Sequence, residues 1–155
     1  MNIEVELLSG PTSDARELVA ELDAVLGALY EPHQRHGLSI EQVFEPKIRF
    51  FVAFLDGEAV GCGALALFDD YAEVKRMYTR EAARGSGVGK ALLARIEREA
   101  RDAGKRVLRL ETGTYQAAAI GLYEGYGFRP CGAFGHYADL PPHRIAASLF
   151  YEKSL

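Results

Sequence analysis

The sequence predicts a mixed α/β fold on a single sheet whose first members are antiparallel and whose later members include a parallel pair. Three observations carry this reading. Ile48 to Leu55 and Ala59 to Phe68 are strand-like runs joined by Asp56-Gly57, the signature of a tight hairpin. Tyr71 to Arg80, a helix from Gly87 to about Ala103, and Arg106 to Thr112 then follow as strand, helix and strand, which implies a right-handed parallel crossover. Apolar residues switch repeatedly between a period of two and a helical period, with turn residues between the runs.

The remaining elements follow in order. Ile3 to Leu8 alternates as a first strand, and Gly10-Pro11-Thr12-Ser13-Asp14 supplies a turn and an N-cap. Leu18, Leu22, Val25, Leu26 and Leu29 recur at helical spacing up to Tyr30, where Glu31-Pro32 stops the run. A short second helix is expected over Ser39 to Phe44. In the helix that opens at Gly87, Val88, Leu92, Leu93, Ile96 and Ala100 form one apolar stripe, and Gly104 ends it. Gln116 to Tyr126 reads as a helix and Ile145 to Glu152 as the last strand.

At 155 residues the chain suits one domain, spanning 1–155, with a core of its own. A formal net charge of −4 speaks against a general nucleic-acid binder, which needs a basic face for phosphates. The start, Met1-Asn2-Ile3-Glu4-Val5-Glu6, has neither the basic residues nor the apolar core of a signal peptide, and no run is long enough to span a bilayer. A cytoplasmic protein with no nucleic-acid or membrane partner is expected; a homodimer is left open. Cys62 and Cys131 stand far apart without metal-ligand spacing, so buried free thiols and no metal are expected.

The chemistry is signalled at Arg84-Gly85-Ser86-Gly87-Val88-Gly89. Glycines let the backbone approach a ligand closely, and the helix that begins there aims unpaired N–H groups and a positive dipole end at it. A pyrophosphate suits that place, with Arg84 and Lys90 adding charge. Two other glycine loops are excluded by the letters. A P-loop needs glycine where Arg84 stands and Ser or Thr where Ala91 stands, and a dinucleotide fingerprint needs its third glycine at Lys90. A turn with no ligand is the remaining structural alternative.

The run Glu73-Val74-Lys75-Arg76-Met77-Tyr78-Thr79, followed by Arg84 to Leu93, resembles the acetyl-CoA motif [QR]xxGx[GA] of the GNAT superfamily. Gln116, Ala119, Ile120, Leu122, Tyr123, Gly127 and Phe128 resemble its second signature, NxxAxxLYxxxGF, with Gln in place of Asn. The two motifs have the family's separation, and the resemblance covers Ile48 to Glu152; up to Pro46 it holds only in outline. Glu73 to Tyr78 and Leu110-Glu111-Thr112-Gly113 resemble a bacterial branch of small-molecule acetyltransferases.

The resemblance implies a mostly antiparallel sheet with a central splayed parallel strand pair and flanking helices. It also implies an acetyl-CoA-dependent N-acetyltransferase acting on a primary amine, by direct transfer in a ternary complex, with acetyl-CoA as co-substrate. A pantetheine arm would enter the splay and pair with the backbone of the strand Met77-Tyr78-Thr79, as an added strand does. A free N–H there would also steady the thioester oxyanion. Tyr123 is implied as the acid that protonates the departing thiolate, Gln116 as an amide contact to the arm, and Ala119 as the residue that gives it room. Glu73 is implied as the base that deprotonates the amine, with Glu111 as the other candidate. Each position has a structural alternative: Met77, Thr79 and Tyr123 as packing, the glutamates as solvated strand ends.

The acceptor side is less defined. Arg76, alternating away from Met77, is placed to project towards a pocket under Tyr30 to Phe44, where a guanidinium would hold a carboxylate beside the amine. Its alternative is an ion pair with Glu73 or another acid. His136 and Tyr137 lie in a segment that in this family borders the acceptor pocket, as does the region from Tyr30. The four histidines all fall in expected loops, where exposure is the default. Two other readings stay open: an acyl-CoA sensor of the same fold without turnover, and a modifier of protein N-termini or lysines.

Overall fold

The computed structural model describes residues 1–155. Its strands are β1 (Ile3–Leu8), β2 (Ile48–Leu55), β3 (Glu58–Leu67), β4 (Ala72–Thr79), β5 (Val107–Gly113), β6 (Arg129–Pro130) and β7 (Ser148–Ser154). Its helices are α1 (Ser13–Leu29), α2 (Val88–Asp102), α3 (Ala117–Gly125) and the single turn α4 (Pro142–Ile145). The seven strands form one sheet in the order β1-β2-β3-β4-β5-β7-β6, in which β4 and β5 are parallel and every other pair is antiparallel. The mixed sheet read from the sequence is therefore the observed one.

Both faces of the sheet are covered, and strand alternation decides which side chain meets which helix. Thr12 caps α1 by accepting from the Ala15 N–H at 3.1 Å, and Ala15, Leu18 and Val19 pack on Phe50, Val52, Cys62 and Ala64. On the other face Leu92, Leu93 and Ile96 of α2 are fully buried with Phe51, Leu65, Leu108 and Leu110. Each such side chain contributes about 1.5–3 kcal/mol of transfer free energy. Gly61 and Gly63 admit this close approach: a Cβ on Gly61 would stand 3.0 Å from Val88, and one on Gly63 2.6 Å from the Met77 sulfur.

Two expectations are corrected, and two further features lie outside the sequence reading. The helix expected over Ser39 to Phe44 is only a 3₁₀ turn, Gln42–Phe44, which buries Val43. Val25 and Leu29 continue the helical spacing of α1 yet remain more than a third exposed, because α1 runs past the covered sheet to the rim of a cleft. The last strand begins at Ser148 rather than Ile145, since Pro141-Pro142 starts the turn α4. The two-residue β6, paired with Glu152 and Tyr151, is too short to leave an alternating pattern.

The feature that shapes the site is the parting of β4 from β5. Their pairing runs only from Ala72↔Leu108 to Val74↔Leu110. Immediately beyond, the β3–β4 register slips between Cys62 and Ala64, and Arg76 takes a left-handed backbone with φ of 56°. Such a conformation costs a non-glycine residue about 1–2 kcal/mol. The bulge bends β4 and breaks its alternation, so that Arg76 joins Glu73 and Lys75 on the α1 face while Met77 returns to the α2 face. An ion pair to Asp23 and a bond from the Cys62 thiol to the Arg76 carbonyl hold the bulge in place.

Candidate active site

Two clefts open on either side of this parting, and they meet. The larger, about 1350 Å³ out to its mouth, runs between the Met77-Tyr78-Thr79 backbone, the glycine loop and α3. The smaller, about 640 Å³, lies beneath the segment that follows α1 and is walled by Tyr30, Glu73, Arg76 and Glu111. Leu22, Met77, Gln116 and Tyr123 line both. The two clefts therefore adjoin at these side chains, Tyr123 among them.

In the larger cleft the sequence-expected residues assemble. Gly85 and Gly87 have φ of 81° and 90°, which a side chain would resist, and they turn the chain into α2. The first helical bond comes from Ala91 N–H to the Gly87 carbonyl at 3.0 Å, so the N–H groups of Val88, Gly89 and Lys90 are left without helical partners at the cleft wall. Arg84 flanks them and donates from Nε to the Thr79 carbonyl at 3.3 Å. On the opposite rim, Arg80 N–H donates to the Val60 carbonyl at 2.8 Å. By alternation Tyr78 bonds towards β3, and the polar backbone groups of Met77 and Thr79 face the parting. Ala119 and Leu122 supply small and apolar walls from α3, and Val25 and Leu29 extend that surface from α1. An anion cradle, a strand edge and an apolar trough fit a nucleotide-bearing thioester with a pantetheine arm.

Gln116 stands at the N-cap of α3, where its Oε1 accepts from the Gly113 N–H at 3.0 Å. That bond fixes the side chain, which lines both clefts. The Tyr123 ring is buried against Phe128, and no hydrogen-bond partner in the chain influences its hydroxyl. Burial, then the nearby Glu111 charge, pushes its acidity far down, so it stays a neutral O–H donor.

The two glutamates differ sharply. Glu73 is 1% exposed; its Oε2 accepts from Tyr137 Oη at 2.7 Å and from Lys75 Nζ at 3.2 Å, while Oε1 is buried without a partner. Lys75 also donates to Tyr137 Oη and to the His36 carbonyl, tying the loop after α1 to the sheet. Glu111, at the open end of β5, accepts only from Ser148 Oγ, at 2.6 Å. Burial raises its pKa above the ordinary carboxylate range; Ser148 and Lys75 oppose that rise, and Glu73 adds to it.

Of the expected acceptor residues, Arg76 and Tyr30 line the smaller cleft, whereas His136 and Tyr137 do not. Arg76 is paired to Asp23 of α1, the alternative its sequence context allowed, although the acid is not Glu73. Tyr30 accepts the Tyr115 N–H at 2.9 Å and closes over Gly113. His136 is exposed and only leans on the Tyr137 ring, because the 3₁₀ turn Gly135–Asp139 points it outwards; Tyr137 is fully buried beneath the site. Sequence reasoning missed Lys75, Arg35 and His36. Lys75 was detectable, two residues from Glu73 and hence on its face. His36 is half-buried, its Nε2–H donates to the Arg144 carbonyl at 2.8 Å, and its pKa is lowered chiefly by burial. Nothing local in the loop marks it or Arg35.

The comparisons bear on the family and the fold. The sequence pattern of the acetyltransferase (GNAT) family matches residues 17–128. A relative from Azospirillum brasilense named IAA acetyltransferase is 47% identical over 148 residues, covering 94% of each chain. A Klebsiella pneumoniae structure, provisionally named an acyl-CoA N-acyltransferase, is 34% identical, covers 99% of this chain and 97% of its own, and superposes with a TM-score of 0.78. The PaiA N-acetyltransferase of Thermoplasma acidophilum, solved in complex with coenzyme A, shares the fold at 20% identity with a TM-score of 0.70 over the whole of both chains. The chain belongs to the GNAT family of acetyltransferases.

Proposed function

We propose that the protein transfers the acetyl group of acetyl-CoA to a primary amine of a small molecule, by direct attack in a ternary complex. The observation that carries this is the meeting of the two clefts at Met77, Gln116 and Tyr123. A thioester laid along the larger cleft and an amine in the smaller would come together there without a covalent intermediate on the enzyme. The smaller cleft is walled and roofed by the loop after α1, which suits a compact acceptor better than a protein tail. Coenzyme A in the Thermoplasma acidophilum neighbour supports the choice of donor.

The glycine loop and the amides of Val88, Gly89 and Lys90 hold the pyrophosphate, with Arg84 beside them. Met77 and Thr79 pair with the pantetheine arm, and the Met77 N–H steadies the thioester oxygen as charge develops on it. Glu111 takes the proton from the ammonium of the acceptor. It is preferred over Glu73, whose Oε2 is committed to two donors and whose Oε1 is closed off, and its raised pKa brings it nearer the range a base needs. The freed nitrogen forms the new C–N bond, the C–S bond breaks, and Tyr123 gives its proton to the leaving sulfur. The new amide nitrogen returns a proton to the Tyr123 oxygen, which closes the balance. Glu73 anchors the floor of the site through Lys75 and Tyr137.

The test is CoA release measured across a panel of amines at varied concentrations of both substrates. Amine-dependent release with intersecting initial-rate lines is expected. Binding of acetyl-CoA with no amine-dependent release would instead make the protein a sensor, and activity confined to peptides would make it a protein modifier.

A further inference from the structure

Resting on that reading, we infer that the acceptor carries a carboxylate close to its amine, and that Arg35 holds it at the end of the smaller cleft. Arg35 follows the 3₁₀ turn Pro32–Gln34, is half-buried, and lines the cleft. It makes no ion pair, and its Nε is buried without a hydrogen-bond partner. The buried Nε has lost water without gaining an acceptor, and a carboxylate entering beside it would supply one.

A second guanidinium stands in the same cleft. Arg76 has only 3% of its side chain exposed; Asp23 engages one Nη, while its Nε too is buried and unpartnered. Its flat end packs on Gly37, where a Cβ would stand 1.8 Å from Nη1, so the loop bearing Arg35 is seated directly on it. Lys75 holds the His36 carbonyl at 3.1 Å and fixes the same loop from the other side. The backbone that carries Arg35 is thus held on both sides.

The charges in the cleft are divided. Glu111 stands near Tyr123 and attracts an ammonium; Arg76 is engaged by Asp23 and Lys75 by Glu73, which leaves Arg35 as the lining cation without an acid. A zwitterion with its amine at Glu111 and its carboxylate at Arg35 satisfies both. The planar fork offers a carboxylate two parallel N–H donors. A phosphate dianion fits less well, because Glu73 and Glu111 share the cleft.

The experiment compares the twenty common amino acids with their decarboxylated amines in the wild type, Arg35→Gln and Arg35→Lys. The wild type is expected to favour at least one amino acid over its amine, and Arg35→Gln to reduce that ratio of kcat/KM by roughly 10- to 100-fold, with Arg35→Lys between. Circular dichroism verifies that the variants are folded. Calorimetry of N-acetyl amino acids binding to the CoA-loaded protein gives a readout that needs no turnover, and Arg35→Gln is expected to weaken it by a similar factor. Amines acetylated with no carboxylate preference, or a preference untouched in Arg35→Gln, overturn the inference and leave the acetyltransferase reading standing. If no amine is acetylated, that reading fails, and calorimetry alone decides whether Arg35 binds carboxylates.

Discussion

Ser148 Oγ donates a 2.6 Å hydrogen bond to Glu111 Oε2 across the β5–β7 pair, where Gly113 and Ser148 stand opposite one another. The bond favours the ionised carboxylate and so works against the burial that raises the Glu111 pKa. A base acts only when deprotonated. The acid limb of kcat/KM should therefore fall as pH drops through the raised Glu111 pKa, above the range of an ordinary carboxylate. Ser148→Ala removes a group that lowers this pKa and should move the limb to higher pH, while Glu111→Gln should abolish it and reduce turnover about 100-fold. A pH–rate profile of the three proteins checks this; an acid limb that survives in Glu111→Gln would return Glu73 to the role of base.

Gly87→Val tests the anion cradle. Open space surrounds this glycine, with only the Ile3 side chain at 3.8 Å, so the substitution acts through its φ of 90° rather than by collision. A β-branched residue there costs on the order of 1–3 kcal/mol and turns the amides at the start of α2 away from their ligand. Calorimetry should show CoA affinity reduced about 10-fold or more in a folded protein. Unchanged affinity would mean that the loop does not hold the pyrophosphate.

Gly113→Ala tests the seating of Tyr30. A Cβ at this position would lie 1.8 Å from the Tyr30 hydroxyl, which accepts the Tyr115 N–H. The ring must move, and the bond is lost. A destabilisation of about 1–3 kcal/mol is expected by denaturant titration, with a raised KM for the acceptor and little change in CoA affinity. An unaltered acceptor KM would show that Tyr30 does not shape that cleft.

The donor half of the site was legible in the sequence because its chemistry is local. Glycines 85, 87 and 89 show in their loop chemistry, the stripe from Val88 to Ala100 in its helical period, and Gln116 to Phe128 in the resemblance to the family's second signature; the stripe is buried and the glycine loop, Gln116 and Tyr123 line the larger cleft. The acceptor half depends on encounters across the fold. No pattern in the loop after α1 reveals that Arg35 goes unpaired, that Gly37 is needed under Arg76, or that His36 folds against a residue 108 positions later. The bulge at Arg76 was equally hidden, since a non-glycine residue gives no sign that it will take a positive φ. His136 misled for the opposite reason: its neighbour Tyr137 is central to the buried cluster, while the tight turn sends the histidine out.

Tyr123→Phe bears most directly on acetyl transfer at the junction of the clefts. The substitution removes one proton donor and almost no volume, in a ring already packed against Phe128. With chemistry rate-limiting, turnover should fall about 100-fold or more, while acetyl-CoA affinity stays within about twofold of the wild type. An unchanged turnover number in a folded Tyr123→Phe protein would contradict the account.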